Sequence, residues 1–173
     1  MVTIRPLALD DAAALLDLRS RHRAFLEPWE PLRDDAFYTL ERQRQGVEAA
    51  VRERDEGRGA PFVVVHERAV VGAVNLSSIV RGVFQNAYVG YWISPEFGGR
   101  GFATEAVRQV VATAFRTLAL HRVQAAVIPR NAASIRVLEK VGFREEGLAL
   151  RYLRIAGVWE DHRLFALTTE DRR

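Results

Sequence analysis

The 173-residue chain contains no cysteine. Disulfides, thiolate metal sites and a thiol nucleophile are therefore excluded, and so is any mechanism that parks an acyl group on a protein sulfur. Lysine is nearly missing as well, since Lys140 is the only one among 25 basic residues. An arginine bias this uniform reads as coding composition as readily as selection for phosphate contacts. The four histidines, His22, His66, His121 and His162, have no ligand spacing, so no metal is expected. No apolar run approaches the roughly 18 residues of a membrane-spanning helix, and Met1 to Asp11 lacks the apolar core of a signal peptide. A cytoplasmic location without membrane contact is the expectation. There is no block of five or six like charges, so no specific nucleic-acid surface is expected.

What remains is an ordinary globular composition, 49% hydrophobic and 27% charged with a net charge of +3. Residues 1–173 are read as one domain, long enough to bury roughly 70% of the unfolded chain's surface.

Val2 to Arg5 is a short strand candidate ended by Pro6. Asp10 or Asp11 is expected to cap a helix with Ala12, Leu15, Leu16 and Leu18 on one face. Phe25 to Phe37 has no clean period, and its Trp29 and Phe25 either line a pocket or anchor a loop. Thr39 reads as the N-cap of a second helix with Leu40, Val47, Ala50 and Val51 inward, ending at Gly57 and Gly59. Pro61 to His66, Val70 to Leu76 and Ala87 to Ile93 are three successive antiparallel strands. Strand 4 stops at Ser94-Pro95, leaving backbone groups beyond Ile93 free to pair elsewhere. Ala103, Val107, Val110, Val111, Ala114, Phe115 and Leu118 form a strong amphipathic helix. Val123 to Ile128 is a buried strand, Asn131 caps a helix closed by Gly142, and Phe143 to Leu153 and Val158 to Ala166 are the last strands. Thr168 to Arg173 reads as a tail. This order predicts a mixed α/β (α+β) domain.

Between the fourth strand and the long helix lies Tyr-Trp-Ile-Ser-Pro-Glu-Phe-Gly-Gly-Arg-Gly-Phe-Ala-Thr-Glu-Ala, residues 91–106. Glycines in a turn that opens a helix leave amide N–H groups at the positive end of the macrodipole, which suits an anion. A strand-to-helix connection packed by glycines has the same spacing. It is not a P-loop, because Phe102 and Ala103 follow Gly101 where lysine and Ser/Thr would stand. The spacing of a dinucleotide fingerprint is also lacking. Arg100 and Thr104 either assist a phosphate or serve as a solvated arginine and a capping residue.

Together with Pro-Arg-Asn-Ala-Ala-Ser-Ile-Arg-Val-Leu-Glu-Lys-Val-Gly-Phe at 129–143, the stretch resembles the GNAT acetyltransferases. Asn75 to Gln85, Gly157 to Arg163 and Ala166 to Asp171 resemble the family's RimJ/RimL branch, its RimJ members most closely. The resemblance covers almost the whole chain. It implies the acyl-CoA N-acyltransferase fold, a mostly antiparallel sheet splayed between strands 4 and 5 and flanked by helices, with acetyl-CoA as co-substrate. That branch acetylates the N-terminal α-amines of ribosomal proteins, so such an N-terminus is the acceptor and partner the resemblance implies. It also implies that the amides of Gly99, Gly101, Phe102 and Ala103 hold the CoA pyrophosphate, with Arg100 and Thr104 assisting. Ile93 would pair with the pantetheine, Asn131 would reach the cofactor from the other side, and Ser134 would lie near the thioester sulfur as general acid. Asn131 and Ser134 also fit plain helix-starting roles.

The sequence departs from the family pattern at two positions. Gly98 stands where Gln or Arg is usual, which should loosen the turn. Leu138 stands where many members carry a tyrosine acid. Tyr88, Glu160, Asp161 and His162 are weak candidates for a base, with Asp161 fitting acceptor binding or proton removal; Glu160 to His162 equally fit the exposed half of a strand. Rival readings are a small amine acceptor, such as an antibiotic or polyamine, and a non-catalytic acyl-CoA- or RNA-binding module. Monomer and homodimer are both open.

Overall fold

The computed structural model describes residues 1–172. Its strands are β1 (Val2–Pro6), β2 (Ala60–His66), β3 (Ala69–Val80), β4 (Asn86–Ile93), β5 (Arg122–Val127), β6 (Arg144–Ile155) and β7 (Val158–Thr168). Its helices are α1 (Ala12–Arg21), α2 (Arg23–Leu26), α3 (Leu40–Asp55), α4 (Phe102–Arg116) and α5 (Ala132–Val141). The strands make one sheet in the order β1-β2-β3-β4-β5-β7-β6. All neighbours are antiparallel except β4 and β5. The turn between β2 and β3 places Glu67 and Arg68 at φ 49° and 69°. Such left-handed turn residues match the twist of a hairpin.

The exception positions everything else. Because α4 lies between β4 and β5 in the chain, the two strands return in parallel. Their ladder lasts for Asn86↔Arg122, Ala87↔Val123 and Tyr88↔Gln124 only. Beyond it, β4 stays with β3 as far as Ile93 and β5 stays with β7 as far as Val127. The sheet therefore opens as a V, as the resemblance implied. Its apex is pinned by the Gln85 carbonyl, which accepts the amides of His121 at 2.9 Å and Arg122 at 3.0 Å. The free strand groups lie along the inner edge of Val89 to Ile93, rather than beyond Ile93. The Ser94 amide there donates to Val71 O at 2.8 Å.

On one face α4 presses Val107, Val110, Val111 and Ala114, all fully buried, against Val74, Ala87 and Val123. Each valine so buried contributes roughly 1.5–3 kcal/mol. Leu138 of α5 joins this core, fully buried. α1 and α3 cover the other face over Val63, Ala73 and Trp92. Strand alternation thus sends Val89, Tyr91 and Ile93 to the α4 side and Trp92 to the α1 side.

Four local expectations change. Asp11 makes no side-chain cap on α1. Its carboxylate instead accepts Arg5 Nη2 at 2.6 Å, Arg5 Nη1 at 2.8 Å and the Ala8 amide at 2.9 Å. Leu40, the first residue of α3, is exposed rather than inward. The stretch 25–37 is built from short helical turns, α2 followed by Glu27–Trp29 and Asp35–Tyr38. The expected tail is largely held: Thr168 ends β7, and the Asp171 carboxylate accepts Arg144 Nε at 2.9 Å and the Thr168 amide at 2.9 Å. Arg173 lies outside the described residues.

The Arg5 guanidinium, together with the Ala8 amide, holds the Asp11 carboxyl below its ordinary range. This pairing stabilises the fold above the unfolded carboxylate pKa and is lost as pH falls through the lower native value. Asp11→Ala should therefore cost about 1–3 kcal/mol at pH 7 in urea unfolding, with a smaller difference from the parent at strongly acidic pH.

Candidate active site

The V between β4 and β5 opens into a cavity of about 750 Å³, lined by residues from both faces of the sheet. At its mouth the chain leaves β4 through Ser94 and makes one tight turn at Pro95–Phe97. Gly98 has an ordinary backbone, φ −61°, and donates to Pro95 O at 2.9 Å, so its lack of a side chain does not loosen the turn. Gly99 and Gly101 are different. Their φ values of 72° and 80° are left-handed, and a Cβ on either would meet no protein atom within 4 Å. The backbone here faces open space that side chains would fill.

Gly101 is the N-cap of α4 and supplies no side-chain cap. The helix's first internal bond is Glu105 N–H to Gly101 O, at 3.0 Å. The amides of Phe102, Ala103 and Thr104 therefore have no intrahelical acceptor. Among the described residues, the hydrogen bonds include none donated by the amides of Gly99, Gly101, Phe102, Ala103 or Thr104. All five residues line the cavity, as does Ile93. Arg100 does not; its guanidinium lies over the Phe97 and Phe102 rings at 5.5 and 4.9 Å. Arg136 and Lys140 of α5 do line the cavity, adding positive charge that the sequence reading did not single out.

Across the V stands the start of α5. Asn131 Oδ1 accepts the Ser134 amide at 3.1 Å, so its capping role is real, and the residue also lines the cavity. Ser134 Oγ lies 2.8 Å from the Tyr91 hydroxyl, which also reaches the Ser134 carbonyl at 3.1 Å. Burial pushes the Tyr91 phenol up to about 12, opposed only in part by its bond to Ser134. Tyr91 therefore stays protonated and acts as a donor. When its proton goes to Oγ, the serine proton is left for the cavity. The sequence signal for Tyr91 was its period-2 position with Val89 and Ile93, a polar group in an apolar row.

The opposite face of the sheet has its own frame. Glu30 accepts Arg19 Nη1 with both carboxylate oxygens, at 2.9 and 3.0 Å, and the Arg19 guanidinium lies 5.0 Å from the Trp92 ring. The Glu30 carbonyl accepts the Ala156 amide at 2.9 Å, tying this segment to the β6–β7 turn. Phe25 and Trp29 line the cavity, which settles their two readings in favour of the pocket. His162 lines it too and is buried, so it does not sit on an exposed strand face. Glu160 pairs with Arg130 at 2.8 Å. Asp161 is not brought into the cavity: Oδ1 accepts the Arg151 amide at 2.7 Å, steadying an irregularity in β6 where Arg151 has φ 49°.

This arrangement, a split sheet with free amides at a helix start, matches known proteins. Residues 1–144 fit the model of the acetyltransferase (GNAT) domain. The chain belongs to the GNAT acetyltransferase family. Among curated relatives, the probable N-acetyltransferase YjcK of Bacillus subtilis is 42% identical, covering 98% of this chain and 95% of that protein. The Escherichia coli [ribosomal protein uS5]-alanine N-acetyltransferase is 36% identical over 93% of this chain and 84% of that protein. Among solved structures, Mycobacterium smegmatis RimJ in complex with CoA-disulfide superposes with a TM-score of 0.95 at 36% identity, covering 98% of this chain and 83% of that one. The protein is accordingly an acetyl-CoA-dependent N-acetyltransferase.

The glycine turn has the shape and polarity such a co-substrate needs: unpaired amides, a helix N-terminus and two positions where a Cβ would intrude. Gly101→Val should therefore raise the acetyl-CoA KM at least tenfold, since the side chain enters the cradle and valine strains at φ 80°. Steady-state kinetics with varied acetyl-CoA measure this, and an unchanged KM would remove the turn from the site.

Proposed function

We propose that this GNAT enzyme acetylates the N-terminal α-amine of a protein, with a ribosomal protein as the acceptor, by direct attack in a ternary complex. The observation that carries the reading is the likeness to the uS5-alanine N-acetyltransferase over 93% of this chain. The chemistry supports it. A peptide α-amine has an ordinary pKa near 7.7–8.0, so a tenth or more is neutral at pH 7, whereas a lysine amine near 10.4 is almost wholly protonated. Without cysteine there is no acyl carrier on sulfur, and direct transfer is the simpler course.

In this reading residues 1–173 act as one catalytic domain. The amides of Gly99, Gly101, Phe102 and Ala103 hold the pyrophosphate, and the Thr104 hydroxyl assists. The inner edge of β4 up to Ile93 pairs with the pantetheine, and Asn131 meets it from across the V. Arg100 acts indirectly, by stacking on Phe97 and Phe102 and so stiffening the turn. Ser134 donates to the thioester sulfur as the C–S bond breaks, with Tyr91 holding its Oγ in place.

Thiol release with acetyl-CoA and a peptide beginning with Ala or Ser tests the acceptor. Such a peptide should react at least tenfold faster, by kcat/KM, than spermidine or an aminoglycoside. A reversed preference would assign the enzyme to small amines, and no release with any amine would leave a binding module. Ser134→Ala should lower kcat about tenfold or more with the acetyl-CoA KM little changed. Tyr91→Phe should lower kcat by less, because Oγ keeps its proton and loses only its orientation.

A further inference from the structure

We infer that His162 Nε2 is the group that takes the proton from the acceptor amine. The inference rests on the amine-acetylating reading above and names the base within that site. His162 is 3% exposed although it lies just beyond the last β5–β7 pair, Val127↔Arg163, and pairs only with Ala149 of β6, so a polar ring is buried there at a cost. Its Nδ1 lies 3.0 Å from the Glu160 carbonyl. A carbonyl can only accept, so Nδ1 carries the hydrogen and Nε2 of the neutral ring carries the lone pair. Among the described residues, no hydrogen bond is made by Nε2, while the residue lines the cavity.

The sheet register sets which face of the sheet carries this nitrogen. Paired residues share a face: Tyr88 pairs with Gln124, Gln124 with Ala166, and Ala126 with Leu164. His162 continues that row by alternation. Ala87, Val123, Ala125 and Phe165 belong to the other face, with the α4 core, and Tyr91 alternates with Ala87. Ser134, bonded to Tyr91, therefore stands on one face of the sheet and His162 on the other, with the open V between them. That placement keeps the two proton transfers apart: the amine adds to the thioester carbonyl to give a tetrahedral adduct that loses its N–H proton on the His162 side, and the thiolate expelled from that adduct is met on the Ser134 side.

The step balances as follows. The amine lone pair forms the N–C bond, and His162 Nε2 takes the N–H proton. The C–S bond breaks with its electron pair going to sulfur, which receives the Ser134 proton. The proton on His162 returns through solvent to the serine, so each turnover is proton-neutral.

The groups around His162 leave this role open to it. Tyr152 of β6 lies with its ring 5.7 Å away, and the neighbouring Tyr88 of β4 and burial raise its phenol, keeping it neutral. The Glu160 carboxylate on the same strand is turned to Arg130, from the loop before α5. Asp161 projects to the opposite face and holds the Arg151 amide. Glu30 is engaged by Arg19.

The experiment compares His162→Gln and His162→Asn in the full-length enzyme with an Ala-initiated peptide and with hydroxylamine, a weakly basic amine that is neutral at pH 7 and whose adduct is acidic enough to lose its proton to water without a protein base. Asparagine keeps a donor where Nδ1 stands, so it preserves the Glu160 bond and removes only the base. Both variants should lose about 100-fold or more in kcat/KM for the peptide. They should keep the parent's acetyl-CoA affinity by calorimetry and lose less than about fivefold with hydroxylamine. The parent's activity on the peptide is the control: if the parent is inactive, the acceptor assignment fails before the base is tested. Near-parental peptide activity in His162→Asn, or equal losses with peptide and hydroxylamine, would overturn the inference and leave His162 a packing residue.

Discussion

The separation of β4 from β5 after three residue pairs is the constraint on which the rest of the molecule depends. A parallel ladder that continued would satisfy the inner edges of both strands and close the sheet. Ending it at Tyr88 and Gln124 leaves the backbone of Val89 to Ile93 exposed to a slot, with β3 and β7 keeping each strand straight on its outer side. The slot survives because its apex is tied at Gln85 and because α4 clamps both halves of the sheet through one buried row of valines.

That opening also divides the labour between two faces. The side covered by α4 and α5 offers amides, a helix N-terminus and the Tyr91–Ser134 pair, all suited to an anionic thioester. The side framed by α1, α2 and the β6–β7 turn offers aromatic rings, engaged ion pairs and one buried imidazole. His22 joins the two: its Nε2 lies 2.9 Å from the buried Ser94 hydroxyl, at the point where β4 passes into the glycine turn. The segment joining α1 to α2 is thereby anchored to the end of β4, where the glycine turn begins.

Much of this was legible in the chain. Period-2 rows in β2 to β5, the 3.6 period of α4 and the caps at Thr39 and Asn131 are local properties, and they appear where the pattern put them. Gly99 and Gly101 were readable for the same reason, since a residue type that tolerates left-handed backbone marks a turn that needs it. The misses are of another kind. Asp11 looked like a cap because Asp before an apolar run usually is one, but Arg5, six residues away, claims the carboxylate. Asp161 and His162 are neighbours in a strand, and which of them faces the cavity depends on the register of β7 against β5 and β6.

By itself, then, the sequence determined the order and type of the elements, the positions of the tight turns and the family. Each of those is written in contacts between residues close in the chain or in a motif of fixed spacing. Only the tertiary structure decided that Tyr91 reaches Ser134 across 43 positions, that Arg100 stacks on its own turn, and that His162 is sealed in while Asp161 looks away. These depend on where β4 and β5 part and on strand register, and a shift of one residue in register turns every side chain to the other face.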